Sequence, residues 1–169
     1  MTSEERARAR AILDLEEGRG PVAVLDPAGI ADLLRRARRI AVIGASANPG
    51  RPSFGVFRYL LGHGYDCVPI NPNEREVLGI PAFGTLAEAT EAGGPFDIVD
   101  VFRCSELCVD HAREAVATGA GCLWLQLGVV SWEAAAIAAG AGLSVVMDRC
   151  TAIEHRALGL GAPPPPGRS

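Results

Sequence analysis

The chain has 169 residues, 49% of them hydrophobic, which is one domain of ordinary size with enough apolar material for a core. A formal charge of −4 argues against sequence-independent nucleic-acid binding, which needs a basic face. All 16 basic residues are arginine, so Schiff-base chemistry and a phosphate-loop lysine are excluded.

In chain order, residues 1–20 mix Glu and Arg with Ala, Ile and Leu, which predicts a surface helix rather than a secretory leader. Asp26-Pro27 caps a helix expected to reach about Arg39, with proline at its permitted first position. Ile40 to Ile43 is short and uninterrupted, as a parallel strand covered on both faces should be. Gly44 allows the turn out of that strand, and Ser53 is the expected N-cap of a helix with Val56, Phe57, Leu60 and Leu61 on one face. A helix starting there points free N–H groups and its positive dipole end at the loop, which favours an anion.

Gly62-His63-Gly64 stops that helix, and strand two is expected over Tyr65 to Ile70. Ile80 to Phe83 is a candidate extra strand, ahead of a helix from Thr85 to about Ala92. Then come strand Asp97 to Phe102, a helix from Ser105 to Thr118, and strand Cys122 to Leu125. Ser131 caps an alanine-rich helix, Leu143 to Met147 is the last strand, and a helix covers Arg149 to Leu158. The alternation predicts an α/β fold: a single-domain, Rossmann-like, doubly wound parallel sheet of five or six strands. Residues 1–24 read as a helical extension, 25–158 as the nucleotide-type domain, and 159–169, with Pro163 to Pro166, as a disordered tail.

Ala115 to Trp132 is long enough for a membrane span, but Gly119, Gly121 and Gly128 divide it into helix end, strand and turn. Five cysteines, an odd number, fit a reducing compartment. A cytoplasmic protein without membrane or nucleic-acid partners is the expectation.

The first strand–loop–helix unit departs from the dinucleotide fingerprint Gly-x-Gly-x-x-Gly with its acidic residue after strand two. Ser46 replaces the second glycine, Asn48 and Arg51 add side chains, and strand two ends in Asn71-Pro72-Asn73 without a carboxylate. That suits a ligand richer in phosphate than NAD. The only side-chain amides, Asn48, Asn71, Asn73 and Gln126, all fall at or just past predicted strand ends, the edge where open α/β sheets bind ligands.

Five motifs then resemble a known family. They are Ile-Gly-Ala-Ser-x-Asn-Pro-x-Arg-Pro-Ser at 43–53, Pro-Ile-Asn-Pro-Asn at 69–73 and Asp-Val-Phe-Arg at 100–103. Trp-Leu-Gln-Leu-Gly at 124–128 and Val-Met-Asp-Arg-Cys-x-x-Ile-Glu-His at 146–155 complete the set. Together they look like the small stand-alone CoA-binding proteins (YccU-like), which are similar to the CoA-binding domain of the succinyl-CoA synthetase α subunit. The resemblance implies a domain that binds coenzyme A or acyl-CoA without the synthetase's catalytic apparatus.

For such a ligand, phosphate binding is assigned to the backbone of Gly44, Ala45 and Ser46, to Asn48, to the helix start at Pro52 and Ser53, and to Arg51. Arg103 is the second phosphate or adenine partner, and Phe102 an apolar wall. Asn71 and Pro72 form another wall, and Gln126 with Gly128 would meet the pantetheine amides. No catalytic or metal-ligating residue is assigned. Cys104, Cys108 and His111 have helical spacing on one side, but a metal there would want a fourth ligand. Cys104, at a helix start, is a candidate reactive thiol. His155 is expected in a buried cluster with Asp148, Arg149 and Glu154 that pins the last helix. The alternative function is an NAD(P)-dependent oxidoreductase or redox sensor on the same fold. A homo-oligomer or an enzyme partner is left open.

Overall fold

The computed structural model describes residues 1–160. In chain order it contains α1 (Ser3–Glu16), α2 (Pro27–Arg36), β1 (Arg39–Ile43), α3 (Pro52–Gly62) and β2 (Asp66–Ile70). A short ribbon, β3 (Glu76–Val77) and β4 (Ile80–Pro81), leads into α4 (Leu86–Gly93) and β5 (Ile98–Val101). After a 3-10 turn at Ser105–Leu107 come α5 (Cys108–Ala117), β6 (Cys122–Leu125), α6 (Trp132–Gly140), β7 (Ser144–Val146) and α7 (Thr151–Ala157). The main sheet is parallel throughout, with its five strands ordered β2-β1-β5-β6-β7. This is the Rossmann-like α/β architecture the alternation of elements predicts.

Period-two alternation sorts the strand residues onto two faces. Ala41, Ile43, Val99, Val101, Leu123 and Leu125 pack under α4, α5 and α6. The intervening Ile40, Val42, Ile98, Cys122 and Trp124 pack under α2, α3 and α7. With both faces covered, the strands read as unbroken apolar runs. Asp100 breaks the run: it is fully buried in β5, and alternation turns it to the α2/α3/α7 face.

Several boundaries differ from the sequence expectation for identifiable reasons. Ile80 to Phe83 is not a full sixth strand: Ile80–Pro81 pairs antiparallel with Glu76–Val77 through a two-residue turn in which Leu78 and Gly79 both have positive φ, while Phe83 alone bridges in parallel to Ile70 at the edge of β2. Ser53 is not the helix N-cap: α3 starts at Pro52, and Arg51 occupies the cap position without a side-chain cap bond. Proline's fixed φ and missing N–H suit the first helical position, which moves the start one residue earlier. The α5 helix begins only at Cys108, because Ser105–Leu107 forms the tighter 3-10 turn first.

Helix α1 has no buried residue, yet it is docked. Ala11, Ile12 and Leu15 pack against the core, and the Trp132 indole N–H donates to the Ala11 carbonyl at 3.2 Å. Leu160, in the segment expected to be disordered, is partly buried against the core, whereas 161–169 lie outside the described residues. No helix among the described residues is long and apolar enough to cross a membrane, and Ala115 to Trp132 is divided among α5, β6 and α6.

Candidate functional site

The strand order reverses between β1 and β5, which opens a crevice outside their carboxyl ends. Gly44 sits at its base with φ +81°, and a Cβ there would lie 2.6 Å from the Phe102 carbonyl oxygen and 3.1 Å from Arg103 Cδ. Only glycine lets the β1 and β5 loops approach this closely. The Gly44 N–H donates to the Ile70 carbonyl at 2.9 Å, and Asn71 Nδ2 donates to the Ala45 carbonyl at 2.9 Å. Asn71 therefore ties the β1 loop to the end of β2, while its Oδ1 accepts the Asn73 N–H at 2.9 Å.

Within the loop, Ser46 Oγ accepts the Asn48 N–H at 3.0 Å, and Asn48 Oδ1 accepts the Gly50 N–H at 2.9 Å. Asn48 thus shapes the loop through its own backbone, the usual Asx-turn device, and does not line the cavity. The crevice on the α3 side is a cavity of about 890 Å³. Gly44, Ser46, Arg51, Pro52, Ser53, Asn71, Phe102, Arg103 and Gln126 all line it. Of the remaining assigned residues, Ala45 is buried behind it and Pro72 faces a neighbouring cavity. Gly128 lies outside both, and its N–H is donated to Asp148 Oδ1 at 2.6 Å.

The side chains of Arg51 and Arg103 are exposed, and neither forms an ion pair among the described residues. Two arginine forks therefore face one cavity beside the first turn of α3, where Pro52 has no N–H, the Phe54 N–H is donated to the Arg51 carbonyl at 3.1 Å, and Ser53 lines the cavity between them. The apolar part of the lining comes from Val56, Phe102, Leu107, Leu127 and Val129. Two cations beside the Ser53 helix start, followed by an apolar wall, suit an elongated ligand with phosphates at one end.

Glu74 is a site residue the sequence reading missed. Strand two does end without a carboxylate, but the following turn carries Glu74 back to the cavity, where its Oε1 accepts the Ala47 N–H at 3.3 Å. The Asn71-Pro72-Asn73 turn was the available signal, since a turn there redirects the next residue toward the crevice. Cys104 and Cys150 also line this cavity.

At its floor, Gln126 Nε2 donates to Asp100 Oδ1 at 2.5 Å and to Thr151 Oγ1 at 3.3 Å, while the Thr151 hydroxyl donates to Asp100 Oδ2 at 2.9 Å. Burial pushes the Asp100 carboxyl up to about 7, against the lowering effect of the Gln126 and Thr151 hydrogen bonds. Gln126 thus meets the cavity as expected from its strand-end position, but half of its amide is committed to the interior.

The neighbouring cavity, about 530 Å³, opens on the α4/α5 side of the same edge and shares Gly44, Asn71, Arg103 and Leu107 with the first. His111 lines it, half-buried, with Nδ1 3.3 Å from Glu114. Burial is the main cause holding the His111 imidazole below its ordinary pKa. Cys104, Cys108 and His111 do not converge: Cys108 is buried with its thiol toward the Cys104 carbonyl at 3.4 Å, and Cys104 is exposed. Cys104 precedes α5 by four residues and stands at the N-cap of the 3-10 turn that leads into it. All five cysteines are free thiols.

The cluster expected around His155 separates into three. His155 Nδ1 lies 2.8 Å from the Tyr59 hydroxyl, with its ring edge-on to Tyr59 and Tyr65, which joins α7 to α3. Arg149 pairs with Glu154 at 3.1 Å, and Asp148 holds the Gly128 N–H. The helical period explains this: Glu154 and His155 are adjacent, so they point to different faces of α7.

Comparison with known proteins agrees with the fold. The CoA binding domain family matches residues 38–156. YneT of Bacillus subtilis, described as uncharacterized, is 40% identical over 128 residues, spanning 76% of this chain and 93% of its own. A hypothetical protein from Pyrococcus horikoshii OT3 has the same fold with TM-score 0.75 and 34% identity, over 80% of this chain and 94% of that one. A Thermus thermophilus structure gives TM-score 0.73 and 37% identity, over 79% of this chain and 99% of that one.

Proposed function

Because this chain belongs to the CoA binding domain family, we propose that the carboxyl edge of its sheet binds coenzyme A or an acyl-CoA. The observation that carries the reading is the larger cavity, where Arg51 and Arg103 form no ion pair among the described residues, beside the α3 start, and an apolar wall continues from them. The pyrophosphate and 3′-phosphate of CoA match the two arginines and the Ser53 helix start, each arginine offering two-point contact. Phe102, Leu127 and Val129 match the adenine ring or the pantetheine arm. The protein acts as a binding module or sensor, and on its own does not ligate CoA to carboxylic acids.

A second reading is favoured by Glu74. A carboxylate at the cavity rim suits a free ribose diol, as in NAD, better than a phosphorylated one. Calorimetry with CoA, dephospho-CoA, NAD and NADP separates the two. CoA should bind most tightly, and binding of NAD or NADP alone would sink the CoA reading.

A further inference from the structure

We propose that Asp100 is a positioning residue: with Thr151 it turns the Gln126 amide so that the cavity floor offers a carbonyl acceptor, which selects a ligand bearing an N–H donor at that point. For coenzyme A the matching donor is a pantetheine amide, and in that respect the inference rests on the reading above.

The hydrogen-bond polarity follows from the triangle itself. A carboxylate only accepts, so both neighbours must donate to it. Gln126 Nε2 lies 2.5 Å from Asp100 Oδ1, and the Thr151 hydroxyl lies 2.9 Å from Oδ2. The second contact of Nε2, 3.3 Å from Thr151 Oγ1, uses the lone pair that this hydroxyl keeps after donating. With Nε2 committed to the interior, Oε1 is the polar atom that Gln126 has left for the cavity it lines.

Protonation removes this lock. A neutral carboxylic acid carries one O–H donor, so it supports Gln126 in either orientation, and the floor then offers either a carbonyl or an amide N–H. Both forms of Asp100 are accessible near neutral pH, because burial lifts its carboxyl to about 7.

Among the described residues, the groups facing Asp100 leave it the only ionised side chain at this spot. In the sheet it is flanked by Val42 of β1 and Trp124 of β6. Cys67 of β2 and Cys122 of β6 are neutral thiols, pushed further up chiefly by burial and also by the Asp100 charge. From above, α2 contributes the apolar Ile30 and Leu34, and α3 contributes Val56 and Phe57 beside the Ser53 hydroxyl. α7 contributes Thr151, with the Cys150 thiol before it and His155 one turn further along, against Tyr59 and Tyr65. No arginine among the described residues pairs with Asp100.

The test is calorimetric titration of the full chain with CoA from pH 5.5 to 8.5, in two buffers with different ionisation heats. Binding should release a fraction of a proton near pH 7, and affinity should fall about twofold between pH 8 and pH 6, as protonation frees the Gln126 amide to take its second orientation. The CoA phosphate titrates in the same range, so the readout is the difference between wild type and Asp100→Asn, whose amide supports both Gln126 orientations and cannot ionise. The variant should retain only the phosphate's own shallow dependence. Gln126→Met, close in size but lacking the acceptor, should bind CoA about tenfold more weakly at pH 8 and also lose the excess proton release. This second variant decides the matter if Asp100→Asn does not fold. Identical pH profiles for wild type and Asp100→Asn, or wild-type affinity in Gln126→Met, overturn the inference while leaving CoA binding intact. Failure of the wild type to bind CoA at any pH overturns both.

Discussion

Replacing Gly44 by alanine tests whether the approach of the β1 and β5 loops makes the site. The new Cβ would stand 2.6 Å from the Phe102 carbonyl, a backbone atom that cannot rotate away, in a residue held at φ +81°. The left-handed backbone alone costs about 1–2 kcal/mol for a non-glycine residue. Displacing the β5 loop should add a comparable amount, giving about 2–4 kcal/mol in all, in the range of other overpacking substitutions. At 169 residues, 1 kcal/mol moves Tm by about 2–4 °C, so a drop of about 5–15 °C is expected by calorimetric or circular-dichroism melting. CoA affinity should fall at least tenfold, because Phe102 and Arg103 move with their loop. Gly55→Ala is the control: it lies within α3, nothing stands within 4 Å of its added Cβ, and it should stabilise the chain by up to about 1 kcal/mol. A Gly44→Ala protein that melts within 1 °C of wild type and binds CoA normally would refute the reasoning.

Arg51→Ala and Arg103→Ala should each weaken CoA binding by about 1.5–3 kcal/mol, the value of a charged hydrogen bond, while the apo Tm stays nearly constant because neither arginine is ion-paired among the described residues. Calorimetry and melting on the same two proteins measure both quantities, and unchanged affinity in both would put the phosphates elsewhere. Glu74→Gln removes a negative charge from the cavity rim and should tighten CoA binding a few-fold at low salt, less at 0.5 M salt, as read by affinity at two ionic strengths. Tyr59→Phe deletes the hydroxyl that meets His155 and should lower stability by about 1 kcal/mol in denaturant unfolding, without changing CoA affinity at neutral pH. Asp100→Asn should be more stable than wild type at pH 8 and lose that advantage toward pH 5, as followed by melting across the range.

The sheet was legible because its strands are covered on both faces and therefore appear as short apolar runs between caps. Asp26, Thr85 and Ser131 cap α2, α4 and α6, each accepting a backbone N–H three residues on. Much of the cavity lining was legible as well, since residues just past strand ends collect at one edge whatever the loops do in detail. What stayed hidden depended on contacts between distant segments. Glu74 returns to the cavity only because a turn redirects it, and Asn48 turns away because its carbonyl is captured by Gly50. His155 looked like a partner for its neighbours in the motif, but a helix places adjacent residues on different faces. Its actual partner, Tyr59, comes from 96 positions earlier.

Asp100 links the stability of the fold to the chemistry of the site, with opposite signs. Its carboxyl titrates near 7 when buried, against an ordinary value of 3.8, so the folded chain holds this proton across a range where the unfolded chain has lost it. The folded state is therefore favoured below pH 4 as much as Asp100 allows, and that contribution is lost as pH rises toward 7. Three pKa units correspond to a cost on the order of 4 kcal/mol for holding the ionised carboxylate inside at alkaline pH. The same ionised form is the one that fixes Gln126 as an acceptor, so ligand binding strengthens over the range in which the apo fold weakens. A leucine or asparagine at this strand position would spare the fold that cost, and asparagine would still bond to Gln126 and Thr151. The carboxylate differs from asparagine in one respect that matters here, which is that it can only accept. If the two slopes share this origin, Asp100→Asn must flatten both of them at once. Flattening of one slope alone would mean that the stability effect and the binding effect belong to different groups.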